Sequence, residues 1–333
     1  MADLSTSYLG LFLKNPVVAA ASPLSKSLDG LRRLEDGGVS AVVLYSLFEE
    51  QITHESNALN HFLTYGTDSF AEALSYFPDL GKYNIGPEAY LELIQKGHET
   101  LKIPIIGSLN GISAGGWVDY AKKIQEAGAD ALELNMYYVP TDINLNAGEL
   151  EKTYVELVRE VTGRVSIPVA VKLSPYFSAL PNFARRLVDA GASGLVMFNR
   201  FVQPDLDIET LDIKPAMALS TSSELLLPLR WTAILYRRLN ADLAVTGGVH
   251  TAPDVVKAVM AGAAVTQLAS ELISGGAGRA GAIAAELSDW MDRFEYKSIQ
   301  QMRGSMSQKA VAEPAAYERA NYMRALTSYD NRH

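Results

Sequence analysis

No cysteine occurs among the 333 residues of this chain. That absence excludes disulfide bonds, thiolate metal sites, iron–sulfur ligation by this chain and any Cys nucleophile or base. Histidine is scarce as well: His54, His61, His98, His250 and His333 include no pair at the i, i+4 spacing of a helical metal site, so no metal is expected. His250 reads first as a surface-turn histidine and otherwise as a group facing whatever the glycines before it bind. Basic charge is in deficit, with 29 Lys and Arg against 38 Asp and Glu, a formal charge of -9 and no basic run. Nucleic acid and acidic membrane surfaces need clustered cations to displace counterions, so neither is an expected partner. No apolar run reaches the ~18 residues of a membrane span. The opening Met1-Ala2-Asp3-Leu4-Ser5 carries no signal-peptide core, so a cytoplasmic protein is expected.

What is present is a regular alternation. With 48% hydrophobic and 20% charged residues the chain can bury a large core. Gly38-Val39-Ser40-Ala41, Gly128-Ala129-Asp130-Ala131, Gly191-Ala192-Ser193-Gly194 and Gly262-Ala263-Ala264-Val265 each follow a helical pattern and precede an apolar run, as a helix C-cap feeding a strand does. Eight strands follow from the pattern, over 17–21, 41–45, 104–108, 131–135, 169–173, 194–198, 242–246 and 264–268. Amphipathic helical stretches separate most of them, at 117–127, 150–161, 182–190, 225–239 and 253–261. Alternating βα units in this number predict one α/β domain over residues 1–333, a (β/α)8 TIM barrel with its site at the strand C-termini. Long loops after strands 2 and 6, at 46–87 and 200–223, read as lids or interfaces. The first holds Phe62, Tyr65, Phe70, Tyr76, Phe77 and Tyr83, aromatic surface fit to cap a flat ligand or to bury against a sister subunit. The tail from Tyr296 to Tyr329 reads as a helical extension packed on the barrel.

The most informative stretch is Thr246-Gly247-Gly248-Val249, one helix before Gln267-Leu268-Ala269-Ser270. Paired glycines at one strand end, beside a small residue and a hydroxyl at the next, offer bare backbone N–H groups to a phosphate. A simple tight turn is the alternative. The other strand ends supply Ala20, Ala21, Ser22, Ser46, Ser108, Asn110, Asn135, Lys172, Asn199 and Thr221, all on one face of such a barrel. Lys172 ends the apolar strand Val169-Ala170-Val171, which suits a Schiff-base lysine or a cation beside a cofactor, with snorkelling to solvent as the alternative. Asn135 and Asn199 offer donor and acceptor to a planar heterocycle such as a flavin or pyrimidine, or cap a loop.

Taken in order, these motifs resemble the dihydroorotate dehydrogenase family over nearly the whole chain. Asn15-Pro16 with Ala20-Ala21-Ser22 resembles its opening strand, Glu133-Leu134-Asn135 its Glu-Leu-Asn strand, Lys172 its flavin-contacting lysine and Asn199 the asparagine ending its sixth strand. Leu219-Ser220-Thr221 and Leu229-Arg230-Trp231 resemble the approach to its phosphate-side helix, and Tyr296-Lys297-Ser298-Ile299 with Arg303-Gly304 its tail. Gly247, Gly248, Ala269 and Ser270 match its FMN phosphate site. The resemblance implies FMN as cofactor and hydride transfer between a dihydropyrimidine-like substrate (dihydroorotate/orotate) and flavin N5. It also implies a homodimer and a soluble acceptor or redox partner protein, since no membrane-associating N-terminal extension is seen.

Three departures stand out, two of them on the substrate side. Leu44-Tyr45-Ser46 stands where the family reads Thr-Lys-Ser, which puts Tyr45 in the place of a substrate- and flavin-contacting lysine. Asn135-Met136-Tyr137-Tyr138-Val139-Pro140 stands where it reads Asn-Leu-Ser-Cys-Pro-Asn, so Tyr138 replaces the catalytic Cys or Ser base. Thr221 replaces a phosphate-side glycine. A phenol, with a reference pKa of about 10, is a poor base at pH 7 and a better acid. Tyr138 is therefore expected to donate a proton in an ene reduction, or the substrate differs from dihydroorotate; packing in its loop is the bland alternative. Two other readings remain: a non-redox phosphate-binding lyase or aldolase using Lys172, and a flavin-binding subunit without its own catalysis. A tRNA-modifying flavin barrel is disfavoured by the acidic charge.

Overall fold

The computed structural model describes residues 1–48, 87–111, 115–216 and 218–329. The chain opens with a hairpin of β1 (Thr6–Tyr8) and β2 (Leu11–Leu13). Its two-residue loop takes positive φ at both positions, Leu9 at 55° and Gly10 at 76°, the requirement of a type I′ turn. A leucine in that region is strained, and here its burial offsets the strain: Leu9 and Tyr8 plug the lower mouth of a barrel. The approach is close, since a Cβ on Gly194 would stand 2.7 Å from Leu9 Cδ2.

The barrel consists of β3 (Val17–Ala19), β4 (Val42–Val43), β6 (Ile105–Asn110), β7 (Ala131–Asn135), β8 (Val169–Leu173), β9 (Gly194–Met197), β12 (Asp242–Thr246) and β13 (Val265–Leu268), with β5 (Leu47–Phe48) continuing the path of β4 beside β6. Every neighbouring pair is parallel, and β4 pairs with both β3 and β6, which closes the ring. All eight expected strands are present, each end within two residues of its expected bound. The expected C-cap glycines Gly38, Gly128, Gly191 and Gly262 all take positive φ at the helix-to-strand turns.

Helices α1 (Leu28–Asp36), α2 (Pro87–Thr100), α3 (Gly115–Glu126), α4 (Ala147–Thr162), α5 (Leu180–Asp189), α6 (Leu226–Leu235), α7 (Ala252–Ala261), α8 (Ser270–Gly275) and α9 (Arg279–Arg293) accompany the strands. Their logic is amphipathic. In α5, Leu180, Phe183, Ala184 and Leu187 are buried at i, i+3, i+4 and i+7, and each large side chain contributes about 1.5–3 kcal/mol by leaving water. α4 starts on a full capping box, with Asn146 and Glu149 each satisfying the other's backbone N–H.

Two apolar layers result. The outer one lies between strands and helices; the inner one fills the barrel with small residues, Ala41, Ala131, Ala170, Ala244 and Ala264, above the plug of Tyr8, Leu9 and Leu13. The loop after β9 carries an exposed hairpin, β10 (Gln203–Asp207) with β11 (Asp212–Ala216). The loop after β4 lies mostly outside the described residues, and with it Phe62, Tyr65, Phe70, Tyr76, Phe77 and Tyr83. The tail carries α10 (Ile299–Met302) and α11 (Arg319–Tyr329), and Gly304, Met306 and Gln308 donate backbone bonds to Val259, Met260 and Ala233.

Candidate active site

Side chains alternate along a strand, so the parity that turns Ala131 and Ala170 into the barrel also turns Glu133, Asn135 and Lys172 inward. Lys172 does not snorkel. It is 7% exposed, with Nζ 3.4 Å from Oε1 of Glu133, which is itself 1% exposed. Gln267 on β13 donates from Nε2 to the other oxygen of Glu133 at 2.7 Å. Desolvating either charge alone costs several kcal/mol, so the ammonium and carboxylate each require the other. From below, the buried phenol of Tyr8 faces the same charges. Burial first, then the carboxylates of Glu133 and Asp242, push it well above the ordinary tyrosine range and keep it protonated.

Asn135 lies opposite Lys172 in the β7–β8 register, and its buried Oδ1 has no hydrogen-bond partner. Asn199 is 7% exposed, and its Nδ2 donates to the carbonyls of Met136 at 3.1 Å and Lys172 at 3.3 Å. Its amide nitrogen is thus committed to tying three strand ends together, which leaves only Oδ1 of the expected donor–acceptor pair. Ala20 and Ser22 are buried after β3, with Ala21 half-buried between them, and the Ala20 N–H donates to Leu268. Asn110 is buried at the end of β6.

A second group surrounds Ser108. Its hydroxyl lies 2.8 Å from that of Ser46, and Tyr90 on α2 bonds both its N–H and its carbonyl. Tyr45 meets Tyr90 edge-on at 5.1 Å, with Lys26 Nζ 5.8 Å from its ring centroid. The Tyr45 hydroxyl is buried without a hydrogen-bond partner, and burial raises its pKa, so it is a neutral phenol. Tyr138 is half-buried against the outer core, near enough to Tyr154 to add to the burial that raises that phenol to about 12. Beside it, Tyr137 stacks on Phe201 at 4.2 Å, and its hydroxyl accepts from the Val202 N–H. Tyr176 meets Phe201 edge-on at 5.3 Å, so one aromatic clasp joins the loops after β7, β8 and β9.

The glycine pair forms the third group. Gly247 and Gly248 take φ of 84° and 75°; a Cβ on Gly248 would stand 2.3 Å from the Leu225 nitrogen, whereas one on Gly247 meets nothing within 4 Å. Beside them Ser220 donates its N–H to Ser270 Oγ at 3.0 Å, and its own Oγ lies 3.4 Å from the Gly248 nitrogen and 3.0 Å from His250 Nε2. His250 Nδ1 is 3.1 Å from Glu271 Oε2, and Arg279 donates to Glu271 Oε1 at 2.6 Å. Burial raises the Glu271 pKa, but the hydrogen bonds from Arg279 and His250 outweigh it and hold the carboxyl below its usual range. His250 is therefore a committed member of a chain of four side chains, not a loose surface-turn residue. Thr221 behaves otherwise: it is exposed and its N–H donates to Glu224 Oε1 at 3.1 Å in a capping box, so Ser220 takes the place expected of Thr221. Glu133, Gln267 and Ser220 stood inside the motifs quoted above without a role of their own, and Glu271 and Arg279 stood in none. The available signal was a charged or amide residue at inward parity in the otherwise apolar Ala131–Leu134 and Val265–Leu268 strands.

A closed parallel barrel with a buried ion pair at its strand ends and two positive-φ glycines after β12 defines the (β/α)8 class, whose sites lie at the strand C-termini. The family profile described as Dihydroorotate dehydrogenase matches residues 3–291, and the chain belongs to that family, which makes it a dihydroorotate dehydrogenase-like oxidoreductase. The catalytic subunit of dihydroorotate dehydrogenase B (NAD(+)) from Thermoplasma acidophilum is 29% identical over 306 residues, 91% of this chain and 99% of its own. The subunit of the same name from Methanocaldococcus jannaschii is 28% identical over 277 residues, 80% and 86% of the two chains. In fold the chain is similar to the crystal structure of DHODH in complex with ferulenol from Eimeria tenella, with a TM-score of 0.64, 16% identity and coverage of 91% and 88%.

Proposed function

We propose that this protein is an FMN-dependent oxidoreductase that transfers hydride between a small planar ring and N5 of the flavin. The residues present fit that cofactor. Gly247 leaves its strand end open where a Cβ would stand, and Asn135 Oδ1 is a buried polar atom still lacking the partner that such an atom requires, at ~1–3 kcal/mol. When bound, FMN supplies a two-electron acceptor and donor at N5. Gly247, Gly248, Ala269, Ser270 and Ser220 would hold its phosphate. Ala20, Ala21, Ser22, Ser46, Ser108, Asn110, Asn135, Lys172 and Asn199 would line its ring. Lys172 is the observation that carries this reading: a buried cation, fixed by Glu133, at the mouth of a barrel with a phosphate cradle. The same ion pair disfavours a lyase or aldolase, because a charged ammonium held by a carboxylate is not a nucleophile.

In this reading the substrate side is built from phenols. Tyr45 holds its proton in a buried site, and Tyr138 would hold one at Oη for delivery to the substrate carbon opposite the hydride. A group that rests protonated is ready for ene reduction and unready to abstract a proton. The substrate is then an orotate-like conjugated ring. A homodimer in the cytoplasm, served by a redox partner protein, completes the reading, and the relatives' name as catalytic subunits supports the partner. No helix among the described residues is long and apolar enough to cross a membrane.

Anaerobic titration tests the direction of the chemistry. Photoreduced protein is expected to be reoxidised by orotate or a similar conjugated ring faster than oxidised protein is bleached by dihydroorotate. Rapid bleaching by dihydroorotate that Tyr138→Phe abolishes would instead establish a tyrosine base.

A further inference from the structure

The chain Ser220–His250–Glu271–Arg279 ends on the glycine cradle, and its hydrogen-bond directions can be counted. Glu271 is an acceptor only, so the ring nitrogen facing it, His250 Nδ1, carries a hydrogen. In a neutral imidazole Nε2 is then bare and accepts the Ser220 hydroxyl proton at 3.0 Å. The Gly248 N–H also points at Ser220 Oγ. In that state Ser220 shows an incoming phosphate dianion only lone pairs. Turning the tautomer over does not help, because a bare Nδ1 would then face the Glu271 carboxylate. Ser220 becomes a donor to phosphate only when both ring nitrogens carry hydrogens.

We infer that capture of a phosphate group at the Gly247–Gly248 cradle takes up one proton, onto His250 Nε2, which turns Ser220 into a donor toward the phosphate. The proton comes from solvent or buffer, and no other bond forms or breaks. The surroundings are arranged for the imidazolium. Glu271 supplies its counter-charge through Oε2 while Arg279 saturates Oε1. Asp254 on α7 accepts the His250 backbone N–H at 3.1 Å and lies 3.9 Å from Lys257. Glu286 on α9 lies 3.8 Å from Arg279, so its charge is directed at the arginine. His250 is a positioning residue here, acting on the phosphate through Ser220.

The inference rests on the phosphate reading of the cradle and not on flavin chemistry. The test is calorimetric titration of FMN, riboflavin and inorganic phosphate into the full-length chain at pH 8, in two buffers of different ionisation enthalpy. FMN binding is expected to take up close to one proton, and its affinity to fall by up to about tenfold per pH unit on the alkaline side, the slope of one linked proton. Riboflavin, lacking the phosphate, should show neither. His250→Gln presents an amide that donates to Ser220 at every pH, so it should flatten the FMN slope and remove the proton uptake. Glu271→Gln, with the counter-charge gone, should weaken FMN binding at pH 8 and leave riboflavin binding as it was. Proton-neutral FMN binding by the unaltered protein overturns the inference whatever the variants do, and so does a slope that survives in His250→Gln. If flavins fail to bind while inorganic phosphate binds with proton uptake, the oxidoreductase reading fails and the inference stands.

Discussion

Lys172 and Glu133 divide one electrostatic task between them. The lysine places positive charge at the strand ends, and the carboxylate 3.4 Å away subtracts from it. At an effective dielectric near 20, unit charges ~4 Å apart interact by about 4 kcal/mol, so either change is felt by a ring at the same mouth. In the FMN-loaded protein Lys172→Met is expected to lower the flavin reduction potential, and Glu133→Gln to raise it, in a dye-equilibrated spectroscopic titration. A shift in neither would remove Lys172 from the ring. Tyr138→Phe is expected to slow reoxidation of the reduced protein by a conjugated ring about 100-fold, the usual scale of a lost proton donor, with little change in the affinity for that ring; stopped-flow rates against substrate concentration separate the two. Lys172 was legible because a lysine that ends an apolar strand needs a reason. Its partners were not. Glu133 and Gln267 are 134 residues apart, and only closure of the barrel brings them together.

Among the elements, the hairpin β10–β11 stands out because it is apolar where it should be wet. Leu206 and Ile213 are cross-strand partners, 69% and 73% exposed, and Ile208 and Leu211 at its tip are exposed further still. Apolar surface gathered on one projecting element marks a contact with another chain. In the dimer proposed here, Leu206→Ser with Ile213→Ser should convert the protein to a monomer by light scattering while the bound flavin is retained; an unchanged mass would place the interface elsewhere. The eight strands and their glycine caps were readable because each unit repeats the same local signals, a helical period, a positive-φ glycine and an apolar run. This hairpin and the plug β1–β2 were not, because short strands joined by tight turns give too little alternation to separate from loop. Thr221 failed for a related reason: the capping box with Glu224 is set three residues on, and it turns the threonine outward while Ser220 turns in.

Across the whole molecule, the N-terminal hairpin closes the mouth of the barrel opposite the site, and Asp242 ties it to the C-terminal tail. Its Oδ2 accepts the Leu9 N–H at 2.9 Å, and its Oδ1 lies 3.1 Å from Arg303 Nη2, whose Nε donates to the Gly262 carbonyl. Asp242→Ala leaves the Leu9 N–H without its acceptor and the partly buried Arg303 guanidinium without its counter-charge, a loss expected at about 2–4 kcal/mol, seen as a lower thermal midpoint in calorimetry. Flavin stoichiometry in the folded variant should not change, because the strand ends that form the cradle lie at the other mouth. The sequence suggested a packed tail but not this clamp, which depends on residues from three distant segments meeting at one carboxylate.

The central claim, that the cradle on β12 and β13 and the Lys172 mouth together form an FMN site, is tested most directly by the absorbance spectrum of the purified protein after incubation with FMN and removal of the excess. A flavin spectrum at one FMN per chain, lost in Gly248→Ala, is the predicted result. A colourless protein that leaves FMN fluorescence unquenched would contradict it.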